Sequence, residues 1–185
     1  TRNLDCMFAP RSIAVVGASA KARIGMAMLT NNDAIGFDGP LYPVNPNYDE
    51  LAGRKCYPSL SAIPEPPDCA VIVVPARVVL SVVEEAGKAG VSSAIIVAQG
   101  FGEAGTDEGH ARQAQLRELA DRYGMAVAGP NCLGLGSFHY RFANSYSDLP
   151  NSGPGGISIM SQSGGLLNAA AAYAADRSAG LNYMI

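Results

Sequence analysis

The sequence has little charge, few histidines and no long apolar run. Its 185 residues carry 13 Lys and Arg against 16 Asp and Glu, a net charge of −3, without a long basic run. A sequence-independent grip on nucleic-acid phosphates has little to work with, so nucleic acid is not an expected partner. The most apolar stretch, Leu166 to Ala175, is interrupted by Asn168 and Tyr173 and falls far short of the ~20 residues that cross a bilayer. No membrane segment is expected. The N-terminus carries Asp5 and lacks a basic head before an apolar run, so it does not read as a secretory signal, and a cytoplasmic location is the default expectation. Four cysteines, Cys6, Cys56, Cys69 and Cys132, stand far apart with no C-x-x-C pair, and His110 and His139 do not complete a ligand cluster. Neither a disulfide framework nor a metal site is expected.

What the chain does have is 48% hydrophobic residues, enough for the core of one domain or a domain and a fraction. Ser12 to Gly17 is a short apolar run ending in glycine, followed by an Ala/Met/Leu-rich stretch from about Ile24 to Ala34. That order reads as strand, tight turn and helix. Leu41 to Val44 is a second strand, ended by the turn residues Asn45-Pro46-Asn47. The Pro-rich stretch from Ile63 to Asp68 reads as a surface connection. Cys69 to Val74 is the clearest strand, with Pro75 opening a helix on which Val79, Val82, Val83, Ala86 and Ala89 recur at helical spacing before Gly90. Ser93 to Ala98 is the fourth strand. Thr106, with Asp107 and Glu108, caps a helix striped by Ala111, Leu116, Leu119, Ala120 and Tyr123 and ended by Gly124. Met125 to Ala128 is the fifth strand.

Strands of continuous apolar character alternating with helices imply a parallel sheet covered on both faces, an α/β, Rossmann-like doubly wound fold. The expected division is a domain over residues 1–128 and a Gly/Ser/Asn/Pro-rich linker over 129–154. Residues 155–185 then begin a second α/β domain, read as strand Gly156–Met160, turn Ser161–Gly165, helix Leu166–Ala175 and strand Leu181–Ile185. A lone βαβ unit has no core of its own, so the 185 residues are expected to be part of a longer protein.

In such sheets ligands bind outside the carboxyl ends of the strands. The candidate site residues are therefore Gly17, Ala18 and Ser19; Val44, Asn45 and Pro46; Val74, Pro75 and Ala76; Gln99, Gly100 and Phe101; and Asn131 and Cys132. The first turn, "GASAKARIG", lacks both G-x-G-x-x-G and G-K-[ST]. It keeps a close backbone approach at Gly17, a helix start that favours phosphate, and Lys21 and Arg23 nearby, so a phosphorylated nucleotide is favoured over the plainer reading of two solvated charges. Asn45 stands where a nicotinamide-dinucleotide site carries Asp or Glu, which argues against a dehydrogenase. "MSQSGGLL" resembles a nucleophile elbow but fails the G-x-S-x-G pattern. Ser161, Gln162, Ser163 and Gly164 instead suit an anion site at a helix start, or ordinary helix capping. Cys132 has no evident base and reads as a packing residue.

Six strings in order, "RSIAVVGAS", "YPVNPNY", "CYPSL", "VIVVPA", "GPNCLG" and "SQSGGL", resemble the start of the NDP-forming acyl-CoA synthetases, relatives of the succinyl-CoA synthetase alpha subunit. The resemblance covers essentially the whole chain. It implies a Rossmann-like coenzyme A-binding domain followed by the start of a flavodoxin-like one. Gly17 to Ser19 would lie against the nucleotide of CoA, with Val44–Pro46 and Val74–Ala76 lining its path. Gln99–Phe101 would border the pantetheine, with Asn131 and Cys132 near the thiol end. Ser161 to Gly164 would help hold the phosphate of a phosphohistidine that lies beyond Ile185 and matches neither His110 nor His139. The implied whole enzyme joins a carboxylic acid to CoA at the expense of a nucleoside triphosphate, through an acyl phosphate. ATP or ADP and Mg would be held by an ATP-grasp domain or subunit, and oligomeric association is implied. This stretch alone would bind CoA without turnover. Two alternatives stay open, a CoA-binding sensor or regulatory domain of a protein acyltransferase, and an NAD(P)-binding oxidoreductase domain.

Overall fold

Five short strands form the central layer of the computed structural model, which describes residues 4–185. A one-turn helix α1 (Asp5–Phe8) precedes β1 (Ile13–Val16), α2 (Arg23–Ile35) and β2 (Leu41–Val44). A two-residue ribbon, β3 (Glu50–Leu51) and β4 (Arg54–Lys55), leads to β5 (Cys69–Ile72), α3 (Ala76–Ala89), β6 (Ser93–Ile96), α4 (Asp107–Arg122) and β7 (Ala126–Ala128). The sheet order is β2-β1-β5-β6-β7, and every pair is parallel. All five carboxyl ends therefore share one edge.

The strands lie between two apolar layers because successive side chains point to opposite faces. Ala14, Val16, Ala70, Ile72, Ala94 and Ile96 pack with Val79, Val82, Val83 and Ala86 of α3 and Leu116 of α4. Ile13, Val15, Val71 and Ile95 face the other way, onto Met7 of α1 and Met28 and Leu29 of α2. Each such aliphatic side chain contributes roughly 1.5–3 kcal/mol on burial. The helix ends follow their expected chemistry: Thr106 Oγ1 accepts from Gly109 N at 3.1 Å, and Gly90 terminates α3. Ala111 departs from the expected stripe and is exposed, because the inward face of α4 is set by Gly109, Leu116 and Ala120.

The stretch 129–154, expected as a linker, contains two strands. β8 (Gly134–Ser137) and β9 (Phe142–Ser145) form a hairpin that joins β10 (Pro154–Ile159) and β11 (Leu181–Met184) in a sheet ordered β10-β11-β8-β9. Helix α5 (Gly164–Asp176) links the parallel pair β10 and β11. The expected βαβ unit is thus present but shares a sheet with the hairpin. Gly134-Leu-Gly-Ser and Phe142-Ala-Asn-Ser carry little β propensity, and tertiary partners make them strands.

Those partners come from α2. Asn32 is fully buried; its Nδ2 donates to Met28 O at 2.8 Å, Ala143 O at 3.1 Å and Asn144 Oδ1 at 3.2 Å, and its Oδ1 accepts from Ala143 N at 2.9 Å. Asn31 Nδ2 donates to the carbonyls of Ser145 and Ser147, both at 2.8 Å. Helix α2 therefore pairs the open edge of β9 much as another strand would. Leu135 and Phe142 of the hairpin bury against the first sheet.

Candidate functional site

The turn after β1 is built for close approach. Gly17 adopts φ +90°, and a Cβ there would come within 2.8 Å of Val74 Cγ1 and 2.9 Å of the Val73 carbonyl. Only glycine fits that conformation without strain. Ala18 is fully buried, and Gly25 in the first turns of α2 presses on it so tightly that a Cβ would meet Ala18 Cα at 2.7 Å. Gly25 thus does the helix-packing work of a fingerprint glycine at a spacing the usual pattern does not recognise. Ala22, at the helix start, offers no side-chain cap, so the first N–H groups of α2 are left for solvent or a ligand. Lys21 and Arg23 are both exposed beside them, and Arg23 Nη2 lies 3.6 Å from Asp148 Oδ1.

The turn after β2 is tied to this one. Gly17 N donates to Val44 O at 2.8 Å, and Asn45 Nδ2 donates to Ala18 O at 2.8 Å. Asn45 Oδ1 accepts from Asn47 N at 3.0 Å and Asn47 Nδ2 at 3.1 Å. Asn45 is thereby committed to holding the two turns together, and Val44 is buried in the core, so Pro46 is the exposed member of its trio.

Further along the edge, Val74 is half-buried against Gly17, and Pro75 opens α3 at Ala76 without a side-chain cap. Gln99 is exposed and Gly100 follows it. The Phe101 ring is wholly buried, with the Arg112 guanidinium 5.7 Å from its centroid, so only its backbone borders the edge. The N–H groups of Gly100 and Phe101 are also spent, donating to Glu103 Oε1 at 2.7 and 3.2 Å. Burial pushes the Glu103 carboxyl up, but these two N–H groups together with Glu103's own outweigh it and hold the carboxyl below its ordinary range. Arg112 adds a bond to the Gly100 carbonyl and one to Glu108. Glu103 and Arg112, which no motif singled out, keep this loop in shape.

The Asn131–Cys132 loop hooks back on β6: Asn131 N donates to Ala98 O at 2.9 Å and Cys132 N to Ile96 O at 3.2 Å. Asn131 has φ 55° and an exposed side chain. Cys132 is half-buried, and its Sγ accepts from Gly134 N at 3.3 Å. Burial pushes the Cys132 thiol up, which keeps it protonated at neutral pH. That suits packing, not nucleophilic attack.

The structure brings this loop against the serine turn that starts α5. A cleft of about 290 Å³ is lined by Gly129 to Gly134 on one side and by Met160, Ser161, Gln162 and Gly164 on the other. Gly164 packs directly on Leu133. Ser161 Oγ donates to Ser163 O at 3.0 Å and accepts from Ser163 N at 3.1 Å, while Ser163 Oγ caps the helix by accepting from Leu166 N at 3.3 Å. Capping and anion binding are compatible here, because Ser163 keeps its own O–H and Gln162 is exposed. His139 sits in the hairpin turn, its ring 5.0 Å from that of Tyr140, and His110 is exposed on α4; neither lines the cleft.

A glycine-floored first turn, an uncapped helix start and a row of strand ends share one edge of the sheet, and the last of them meets the serine turn at the start of α5. Residues 11–137 match the family model described as "CoA binding domain". The chain belongs to this family. This CoA-binding chain is 42% identical over 163 residues to an ADP-forming acetate–CoA ligase of Methanocaldococcus jannaschii, across 86% of its own length and 22% of that protein. It is 42% identical over 169 residues to the alpha subunit of ADP-forming acetate–CoA ligase I of Pyrococcus furiosus, across 89% of its own length and 36% of that subunit. Its fold superimposes on the Ca. Korarchaeum cryptofilum dinucleotide-forming acetyl-coenzyme A synthetase 1, solved with phosphate and ADP. The TM-score is 0.90 at 36% identity, over 100% of this chain and 39% of that one. The CoA-binding chain thus spans between 22% and 39% of the length of these relatives. Among the described residues, no helix is long and apolar enough to cross a membrane.

Proposed function

We propose that this chain is the CoA-binding part of an NDP-forming acid–CoA ligase, holding coenzyme A along the carboxyl edge of the first sheet. The observation that carries the reading is the cleft shared by the Asn131–Cys132 loop and the Ser161–Gly164 turn. It supports a coenzyme path whose thiol end lies beside the serine turn.

The residues present fit the coenzyme. Gly17, Ala18 and Ser19 let a nucleotide lie close to backbone, with Lys21, Arg23 and the open N–H groups of α2 facing its phosphates. Pro46 and Val74 to Ala76 border the path, with Asn45 holding the floor beneath it, and Gln99 and Gly100 border the pantetheine. Asn131 offers an amide near the thiol end, and the protonated Cys132 does not compete with it. The thiol of CoA supplies the nucleophile of the reaction. Ser161, Gln162, Ser163 and Gly164 bind the phosphoryl group delivered to the site. ATP, Mg and the phosphorylated histidine belong to other parts of the whole enzyme, including an ATP-grasp domain or subunit. The second α/β unit, on this reading, begins at the hairpin of β8 and β9.

Calorimetric titration with CoA, with NAD as the control, tests this. Saturable CoA binding is expected, weakened by Asn131→Ala and by Gly17→Val, with no NAD binding. NAD binding without CoA binding would replace the reading with an oxidoreductase one. Acyl-CoA synthesis by these 185 residues alone would overturn the assignment of the remaining chemistry to other parts.

A further inference from the structure

Leu133 stands between two pinned residues. Cys132 N donates to Ile96 O at 3.2 Å on one side, and Gly134 N donates to Cys132 Sγ at 3.3 Å on the other. The leucine side chain lies directly over Gly164 at the start of α5, where a Cβ would come within 2.7 Å of Leu133 Cγ. Gly164 has no positive φ that would call for glycine. It is the leucine that leaves no room for a side chain there.

Leu133, Gly134 and Leu167 line two spaces at once. On one side is the cleft of about 290 Å³ between the Asn131–Cys132 loop and the serine turn. On the other is a cavity of about 20 Å³, walled by Leu135, Phe138, Phe142 and Met184. Its room is that of about one water molecule, and its wall suits hydrocarbon better than water. Leu167 is buried and Leu133 half-buried, so Leu133 is the side chain that an occupant of the cleft meets first.

The thioester of an acid with coenzyme A carries its acyl group on the coenzyme's sulfur, and on the reading above that sulfur lies in the cleft. We infer that Leu133 is a specificity-determining residue: the acyl group lies against it, and it stops the acid's chain short of the cavity behind. Short aliphatic acids fit in front of the leucine, and longer chains find no apolar room. The inference rests on the CoA-binding reading and adds to it the size of the acid and the side chain that sets it.

Calorimetry with CoA, acetyl-CoA, butyryl-CoA and hexanoyl-CoA on the 185-residue chain, and on its Leu133→Ala and Leu133→Val variants, tests this. In the parent, lengthening the acyl group from acetyl to hexanoyl should bring no gain in affinity. Leu133→Ala joins the cleft to the cavity, and each methylene that enters should then tighten binding roughly fourfold. Leu133→Val opens less, should give a smaller gain, and decides the outcome if the alanine variant does not fold. The Leu133 methyl resonances, assigned in methyl-labelled protein by their absence from Leu133→Val, should differ between the parent saturated with CoA and with acetyl-CoA. A parent whose affinity climbs with every methylene would overturn the inference, because the chain would have another apolar bed. A flat series in the variants, or Leu133 methyls indifferent to the acetyl group, would overturn it as well. Failure of the parent to bind CoA at all would instead remove the reading on which it rests.

Discussion

The Asn45 side-chain amide donates to the Ala18 carbonyl across 2.8 Å, joining the turn after β2 to the turn after β1. The bond shapes the floor on which a nucleotide would rest. Asn45→Ala should weaken CoA binding several-fold and destabilise the protein by about 1 kcal/mol, the usual net worth of such a bond. Asn45→Asp should weaken binding further, because a carboxylate cannot donate to Ala18 and adds negative charge near the phosphates. Calorimetry and thermal melts on both variants check the order; equal CoA affinity in the parent and Asn45→Asp would contradict it.

Asn32 carries a different load. It is fully buried and serves both backbone groups of Ala143, so Asn32→Ala leaves an N–H and a carbonyl of β9 without their partner. A loss of about 1–3 kcal/mol is expected, read as a lower melting temperature. Asn32→Asp should not rescue it, since the Nδ2 donor is lost. A melting temperature equal to the parent's would show that the hairpin docks by its apolar side chains alone.

Cys132 should react slowly with alkylating reagents at neutral pH, because burial raises its thiol above the ordinary range. Its alkylation rate should climb only above pH ~8.5, the unperturbed thiol value. Cys132→Ala should retain CoA binding. Rapid modification at neutral pH, measured by mass spectrometry on the intact protein, would show an activated thiolate.

Stability should fall on the acid side partly through Asp68. Burial pushes its carboxyl up, but Arg11, bonded through its backbone N–H at 2.9 Å and its guanidinium at 3.0 and 3.2 Å, holds it below the usual carboxylate range. A carboxyl with a lowered folded value contributes stability fully above its unfolded value, near pH ~3.9, and loses it as pH falls through the folded value. Asp68→Asn should therefore lose less melting temperature than the parent between about pH 5 and about pH 2. An unchanged slope would mean that the exposed Arg11 adds nothing.

Much of the first domain is legible in the sequence because its signals are local. Ile13–Val16 and Cys69–Ile72 are continuous apolar runs, Thr106 caps its helix, and the strand ends follow once the sheet is known to be parallel. The hairpin of β8 and β9 is not legible, since its strands are held by Asn31 and Asn32 more than a hundred residues earlier. The same holds within the site. Asn45 and Ser19 stand out as strand-end residues, but their bonds to Ala18 and Tyr48 cross between turns that only the sheet order brings together. Phe101 shows the opposite limit: its position at a strand end was readable, and the inward turn of its ring was not.

The account stands on one edge of one sheet. Amide chemical-shift mapping of the 185-residue chain during a CoA titration locates the ligand residue by residue. Shifts are expected to concentrate at residues 17–23, 44–48, 74–76, 99–100 and 129–132, with those in 161–164 responding when phosphate is added. Saturable CoA shifts confined to the opposite end of the sheet or to the outer face of α3 and α4, with residues 17–23 unmoved, would contradict the account.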